Sequence, residues 1–396
     1  PKYHELKYQN IALNLATVRE NVLDNNSTLV SYTMTEEYLY AIVLDDAKEK
    51  FLKLSFSDDD RKDIRAFYKA LSSPTIGDSQ QAISDLGKAL FAKTLKKPLE
   101  GFNTENLSII PDGELHYLPF DLLQENGSYL LQSTSIGYSN SVASLLELKS
   151  KKKSEKNRIL AFAPTFTGAA VTNTNRQFGK LLYNGDEVSK ISAFYDTEKI
   201  MGTKATLENF KAKTSDFNVL HLATHASAND QYPDYSYLAF TQTKDSTTGN
   251  ILYIKDLYNS TLNADMVTLS ACQTGIGKLQ KGQGMLSLSK GFYYAGAKSL
   301  VNSLWKINDK STVTLMEYFY QGLSKGKSKT EALRIAKLKY LETTDDDLLR
   351  HPYYWAGFVV SGDASPLNDS SDLWWWLWLV PVTILGFWWL KKRKSI

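Results

Sequence analysis

The sequence predicts an α/β protein with a mostly parallel sheet flanked by helices, a smaller α/β half before it and one transmembrane helix after it. Short apolar runs alternate with segments of helical spacing, which is typical of parallel strands covered by helices. A charged run without apolar residues, KSKKKSEKNR, separates two such blocks. An uncharged run near the end of the sequence contains six of the eight tryptophans.

These observations divide the sequence into six parts. The predicted parts are an N-terminal α/β half (1–148), a charged linker (149–158), a larger α/β half (159–363), a tether (364–372), a transmembrane helix (373–390) and a basic cytoplasmic tail (391–396).

Composition excludes several classes of protein. With 396 residues, 43% of them hydrophobic and 22% charged, the protein is able to bury a large core and is neither disordered nor collagen-like. Its one cysteine, Cys272, excludes an intrachain disulfide and a multi-cysteine metal site. Four of the 46 basic residues lie in the last six positions, and without them the charge is 42 − 43 = −1. No nucleic-acid partner is therefore predicted.

The smaller half has a strand-rich beginning. Residues 29–52 contain apolar runs with polar breaks, which predict paired strands such as LVSYTM and YLYAIVL. Helical spacing follows at 78–95. Residues 107–123 combine a strand, a Pro-Asp-Gly turn and a second apolar segment.

The larger half repeats the alternation of strand and helix. Its strands are short apolar runs of the kind found in buried parallel sheets. The predicted strands are 159–163, 217–223, 266–271 and 297–304, and the predicted helices are 187–195, 284–295 and 312–323. The run at 149–158 is predicted to be a solvated linker rather than a binding patch.

Two predicted strands end beside residues that can carry nucleophilic chemistry. His225 follows VLHLA, and Cys272 follows MVTLSA. The carboxyl ends of parallel strands meet at one edge of a sheet, and a cysteine nucleophile needs a nearby imidazole to accept its proton. The separation of 272 − 225 = 47 residues is close to the ~50 typical of caspases. The alternatives are a buried structural thiol and a histidine without a catalytic role.

His221 lies four residues before His225, which raises the alternative of a zinc site. A zinc-binding HExxH motif needs a helix and a glutamate after its first histidine, whereas here Leu222 follows and the context is a strand. His221 is therefore predicted to be a core residue, and neither a metal nor a cofactor is expected.

The tryptophan-rich segment 373–390 is predicted to cross a membrane. It has no charged residue, and 18 residues of helix span roughly 27 Å, enough for a bilayer core. Tryptophan at both ends is typical of membrane interfaces, and the following KKRK predicts a cytoplasmic C-terminus. We therefore expect a single-pass cell membrane protein whose larger part lies on the extracytoplasmic side. The alternative is a buried core helix.

Several motifs resemble those of the CHAT-domain peptidases, which belong to the same clan as caspases and separases. The resemblance extends over about 29–363. The motifs are IIPDGELHYLPFDLL from Ile109, HLATHA from His221, LSACQTG from Leu269, GQGMLSLSKGFYYAGAKSLVNSLWKIND from Gly282 and HPYYWAGFVVSGD from His351. The resemblance implies a caspase-like fold for the larger half and a pseudo-protease-like fold for the smaller half.

The resemblance also implies a cysteine endopeptidase. Cys272 would attack the scissile carbonyl, and His225 would protonate the leaving amine. The backbone N–H of Cys272 and one from an Ala226–Ser227 turn would form the oxyanion hole. Many members have glycine where this sequence has Ala226.

The same resemblance places a substrate groove along SLWK, residues Ser303 to Lys306, where a bound peptide would add as an extended strand. Trp305 is a candidate subsite wall, with core packing as the alternative. Relatives that cleave after arginine or lysine often have an acidic residue two positions before the cysteine. Here that position is Ser270, so the sequence gives no support to a basic residue before the cleaved bond.

The expected partners are a protein substrate, the membrane, and helical tetratricopeptide repeats or an activating protein, since such repeats usually precede this domain in the family. The alternative function is a catalytically silent scaffold with the same fold, which would mediate protein–protein interaction at the membrane.

Overall fold

The computed structural model describes most of both predicted halves. The described stretches are 13–24, 26–73, 80–154, 157–166, 178–229, 232–242, 249–270 and 284–367.

The strands are short, as the apolar runs predict. They are β1 (Ser27–Met34), β2 (Tyr38–Leu44), β3 (Glu49–Ser55), β4 (Asn106–Ile110), β5 (Gln124–Glu125), β6 (Ser128–Tyr129), β7 (Ser135–Tyr138), β8 (Arg158–Pro164), β9 (Asp196–Gly202), β10 (Val219–Leu222), β11 (Ala226–Ser227), β12 (Tyr237–Ala239), β13 (Ile251–Tyr253), β14 (Met266–Leu269), β15 (Ser299–Ser303) and β16 (Phe358–Gly362).

The helices lie between the strands. They are α1 (Leu15–Asn21), α2 (Asp58–Ser72), α3 (Gln80–Thr94), α4 (Lys96–Leu99), α5 (Val142–Ser150), α6 (Asn184–Ile191), α7 (Leu207–Lys213), α8 (Ile254–Leu257), α9 (Gly284–Ala295), α10 (Asp309–Ser324) and α11 (Lys329–Thr343).

Both halves contribute to one eleven-stranded sheet, in the order β3-β2-β1-β4-β7-β16-β15-β14-β10-β8-β9. Neighbouring strands run parallel except for β3–β2, β2–β1 and β16–β15. Apolar side chains from the two faces of the sheet pack into separate cores, one formed with α2, α3, α10 and α11 and the other with α7, α8 and α9. The predicted α/β class with a mostly parallel, helix-flanked sheet is confirmed.

A buried polar cluster joins the amino ends of the central strands. The Asp265 carboxylate accepts hydrogen bonds from Asn218 Nδ2 at 2.9 Å and from Lys298 Nζ at 2.5 Å. Asn218 Oδ1 in turn accepts from the backbone N–H of Arg158 at 2.8 Å. The cluster also fixes part of the charged segment 149–158, because the backbone N–H of Ser154 donates to Asp265 at 3.0 Å.

Strand β16 and helix α11 connect the two halves. β16 lies between β7 of the smaller half and β15 of the larger half. On α11, the Lys337 Nζ donates to the Asp121 carboxylate at 2.5 Å and to the Ala356 carbonyl at 3.0 Å. The Lys337 and Asp121 side chains are only 2% and 9% exposed, so this ion pair is buried between elements of both halves.

Most predicted elements are present, but the helix expected at 187–195 is α6 at Asn184–Ile191. After Ile191 the backbone turns, and Phe194 packs on the core before β9 begins at Asp196. Among the described residues, no helix combines the length and apolarity needed to cross a membrane. The predicted transmembrane segment 373–390 and the tail 391–396 lie outside them.

Replacing Lys337 with alanine is expected to lower the free energy of unfolding by roughly 3–5 kcal/mol, because Asp121 would remain as a buried carboxylate without its cation. Replacing both residues, Lys337→Met with Asp121→Leu, is expected to recover most of that loss. Urea denaturation measures both effects. Lys62→Ala, which removes an exposed ion pair with Asp59, is the control and should not shift the midpoint. If Lys337→Ala and Lys62→Ala shifted the urea midpoint by the same amount, the buried ion pair would not be an important source of stability.

Candidate active site

The predicted site lies at the carboxyl edge of the central strands. β8, β10 and β14 run parallel and end near one another, and His225 follows the end of β10 by three residues. The Asn184 side chain connects two of these ends, since its Nδ2 donates to Pro164 O at 2.8 Å and to Ala223 O at 3.1 Å. The edge that bears His225 is therefore held in place by hydrogen bonds.

The hydrogen bonds of His225 define its tautomer. Its Nε2 lies 2.8 Å from the carbonyl oxygen of Gly179. Because a carbonyl can only accept, Nε2 carries the proton and donates it, which leaves a lone pair on Nδ1 of the neutral ring. Nδ1 is buried and has no hydrogen-bond partner among the described residues. The imidazole thus presents an unused proton acceptor.

Aromatic rings enclose the imidazole of His225, which is 8% exposed. The Phe178 ring stacks on it with a centroid distance of 5.4 Å and an interplanar angle of 21°, and the Phe166 ring lies 4.7 Å away. Burial lowers the pKa of His225, partly offset by the Gly179 carbonyl and by the charge of Asp309. The ring is therefore neutral at pH 7, the form that accepts a proton.

The residues predicted for the oxyanion hole lie in a strand rather than a turn. Ala226 and Ser227 form β11, which pairs antiparallel with β12 through Leu238 and Tyr237. The His225 carbonyl extends this pairing by accepting from Ala239 N at 2.9 Å. The turn expected here is replaced by a three-stranded sheet of β11, β12 and β13, because the apolar residues of these strands pack on the core.

The residues predicted for the substrate groove are mostly buried. Ser270 and Ser303 are 6% and 0% exposed. Trp305 is 1% exposed, and its indole N–H donates to Tyr353 O at 3.1 Å. Trp305 is thus a core residue, the alternative stated from the sequence, and its side chain does not wall a subsite in this conformation. Lys306 is exposed, and its charge contributes to lowering the pKa of His225.

Cys272 lies outside the described residues, but the strand before it is described. β14 ends at Leu269, which pairs with Leu222 at the end of β10. Partners in this register differ by 269 − 222 = 47 positions, the same number that separates His225 from Cys272. Each of the two residues follows its strand by three positions.

The structure also adds residues that the sequence did not indicate. Gly179 acts through its carbonyl, which any residue has, so no side-chain motif marks it. Asn302 on β15 is 1% exposed, and neither polar atom of its amide has a partner among the described residues. His221 is a core residue as predicted, with Nε2 at 2.9 Å from Glu187 and Nδ1 at 3.0 Å from the Tyr320 hydroxyl.

Both ring nitrogens of His221 are therefore engaged. In the part of the protein that the structure describes, no three histidine, cysteine, aspartate or glutamate side chains form a group able to hold a metal ion.

Comparison with known proteins supports the family suggested by the sequence motifs. The profile of the CHAT domain matches residues 80–363, more than half of the chain. Human tetratricopeptide repeat protein 28 is 23% identical over 351 residues, and the match covers 78% of this chain and 13% of that protein. The mouse protein of the same name is also 23% identical and is covered to 14%. The chain thus spans about one seventh of the length of these curated relatives.

Solved structures resemble the fold at low sequence identity. Saccharomyces cerevisiae separase, in its complex with securin, has a TM-score of 0.54 at 11% identity, over 88% of this chain and 30% of that chain. The Arg-specific cysteine proteinase gingipain R has a TM-score of 0.44 at 10% identity, over 79% of this chain and 76% of that chain. The likeness to separase shows a shared fold.

The pKa of His225 is expected to rise toward the ordinary value of ~6.5 in Phe178→Ala, because water would then reach the ring. Phe178→Leu, which keeps the site apolar, is the control and should keep the pKa low. NMR titration of the imidazole measures both. An unchanged pKa in Phe178→Ala would show that Phe178 does not keep water from the ring.

The lowered pKa also has a consequence for stability. As the pH falls through ~6.5, the unfolded protein takes up a proton at position 225 before the folded protein does. The stability that depends on a neutral His225 is therefore present above ~6.5 and is lost toward lower pH. Urea titrations at several pH values should show a smaller loss of stability in Phe178→Ala than in the wild type.

Proposed function

The chain belongs to the CHAT-domain family, and we propose that it is a cysteine endopeptidase in which His225 and Cys272 form the catalytic dyad. The observation that carries this proposal is the hydrogen-bond pattern of His225. Its Nε2–H is held by the Gly179 carbonyl, while Nδ1 is buried and unused by the described residues. Nδ1 is the acceptor that the Cys272 thiol requires.

The register of the sheet supports the pairing of these two residues. The offset between β10 and β14 equals the separation of His225 and Cys272, and each residue follows its strand by the same number of positions. Nothing in the described site occupies Nδ1 in place of a thiol.

The proposed reaction begins with proton transfer from the Cys272 thiol to His225 Nδ1. The thiolate adds to the scissile carbonyl, and the imidazolium Nδ1–H then protonates the leaving amine as the C–N bond breaks. Water, deprotonated by the same nitrogen, hydrolyses the thioester and frees Cys272. The Gly179 carbonyl accepts from Nε2–H throughout and so keeps the ring oriented.

The oxyanion formed at the scissile carbonyl needs backbone donors. We assign these to the N–H of Cys272 and one from Ala226 or Ser227 on β11, next to His225.

A substrate backbone is proposed to add along residues 303–306. Among the described residues, β15 pairs with β14 as far as Val301, while β15 itself continues to Ser303. On its other edge this segment is occupied, because Leu304 N donates to Gly357 O at 2.8 Å. A peptide would therefore approach from the side of β14, which is the side of His225.

A protein partner and a membrane anchor are proposed beside the catalytic half. The relatives named as tetratricopeptide repeat proteins support a repeat region or an activating protein as partner. The segment 373–390 is proposed to anchor the protein in the cell membrane, with the tail 391–396 in the cytoplasm and the peptidase on the other side.

Labelling with a library of peptidyl electrophiles tests the dyad. Wild-type protein is expected to be labelled at Cys272, and His225→Ala should lose at least tenfold in labelling rate because the thiol loses its proton acceptor. Cys272→Ala lacks the thiol and therefore measures the background labelling. His116→Ala is the matched control, since burial lowers the pKa of this histidine as well, and it should keep the wild-type rate.

A folded protein whose Cys272 reacts no faster than free cysteine, with and without its repeat partner, would contradict the peptidase. That result would favour the catalytically silent scaffold that binds proteins at the membrane.

Removal of residues 368–396 is expected to transfer the protein from the membrane pellet to the supernatant, because the apolar segment is lost. Fractionation of cells that express either form measures this. A reporter fused after Ile396 should be active only inside the cell, and activity only outside would contradict the proposed orientation.

A further inference from the structure

A row of aromatic rings extends from His225 across the small sheet of β11, β12 and β13. Phe178 stacks on the imidazole, and its ring lies 6.2 Å from that of Tyr237 on β12. Tyr253 on β13 is the register partner of Tyr237, and their rings are also 6.2 Å apart. The row continues through Tyr235, 6.0 Å from Tyr253, to Tyr232, 6.4 Å further on.

Exposure increases along this aromatic row. Phe178, next to the imidazole, is 7% exposed, and Tyr237 and Tyr253 are half-buried. Tyr235 and Tyr232 are 51% and 57% exposed, which places them among the most exposed large hydrophobic residues that the structure describes. The row therefore leads from the buried imidazole to solvent without a break between ring contacts.

A cation lies beside the exposed end of the row. Lys255 Nζ is 4.5 Å from the Tyr235 ring centroid and 5.4 Å from that of Tyr253, and the lysine is exposed. A cation over an aromatic face is attracted to it and remains available to an anion from solvent. This end of the row thus combines apolar faces with one positive charge.

We propose that the aromatic row binds the part of the substrate that follows the scissile bond, and that it selects an extended segment rich in aromatic or proline residues with an acidic residue near Lys255. This inference rests on the proposed peptidase function. In the proposed reaction His225 protonates the leaving amine, so the substrate segment that follows the cleaved bond leaves on the side of His225. The row begins there.

The spacing of the rings fits such a segment. In an extended peptide, side chains two residues apart lie roughly 6.4–6.8 Å apart on one face. The rings of the row are 6.0 to 6.4 Å apart. Alternate substrate side chains would each meet one ring, and proline- or aromatic-rich peptides are the class that aromatic-lined grooves recognise.

A proteome-derived peptide library, with its amines blocked, tests the proposal through the new N-termini that cleavage creates. Wild-type protein should enrich aromatic, proline and acidic residues on the C-terminal side of the cut. In Tyr232→Ala/Tyr235→Ala that enrichment should disappear, and kcat/KM on a peptide from the enriched set should fall roughly fivefold to tenfold. The control is Phe51→Ala, which removes a 66% exposed aromatic ring on the edge strand β3 and should change neither the enrichment nor kcat/KM.

A binding measurement separates this inference from the peptidase itself. The probe is a fluorescein-labelled peptide of alternating tyrosine and proline with one glutamate, and its affinity for Cys272→Ala is measured by fluorescence anisotropy. Adding Tyr232→Ala/Tyr235→Ala should weaken binding roughly fivefold to tenfold, and replacing the probe's glutamate by lysine should also weaken it.

Tyrosine-dependent binding without any cleavage by the wild type would overturn the peptidase but keep the aromatic row as a peptide-binding surface. Cleavage whose preferences after the cut do not change in the tyrosine variants would overturn the inference and keep the peptidase.

Discussion

The buried cluster around Asp265 is the constraint on which the geometry of the site depends. Asp265, Asn218 and Lys298 precede strands β14, β10 and β15, and Asn218 also holds the first residue of β8. Because the four strands start from one hydrogen-bonded cluster, their lengths decide where they end. β10 and β14 each contain four residues and end at the register partners Leu222 and Leu269, three positions before His225 and Cys272 in the sequence. Removal of Asp265 or Lys298 would leave the charge of the other buried without a counter-charge where these strands begin.

The sequence predicted the fold class well because apolar runs identify buried parallel strands directly. The runs at β8, β10, β14 and β15 are nearly continuous, and they are the strands at the centre of the sheet. Elements whose burial depends on tertiary partners were not predicted. Helix α11 is an example, since its buried Lys329 and Lys337 break the apolar pattern and are stabilised by the Asp363 carbonyl and the Asp121 carboxylate.

The site was predictable only in part, for a related reason. His225 is marked by its residue type and by the strand before it. The Gly179 carbonyl, 46 positions earlier, is a backbone group that no sequence pattern reveals. Trp305 follows β15 and could have faced a groove, but the hydrogen bond from its indole to Tyr353 directs it into the core. Side-chain direction beyond a strand end is decided by such contacts and not by the alternation within the strand.

The position of β16 has a consequence for synthesis of the protein on the ribosome. Of the strands that the structure describes, the one that joins β7 to β15 is the last to be made, at 358–362. Until it emerges, both halves have an unpaired strand edge, the kind of surface on which nascent polypeptides aggregate. Closure of the sheet joins β7 to a strand more than 200 positions away, which makes it a late and slow step of folding. The nascent chain should therefore need chaperones most just before β16 emerges from the ribosome.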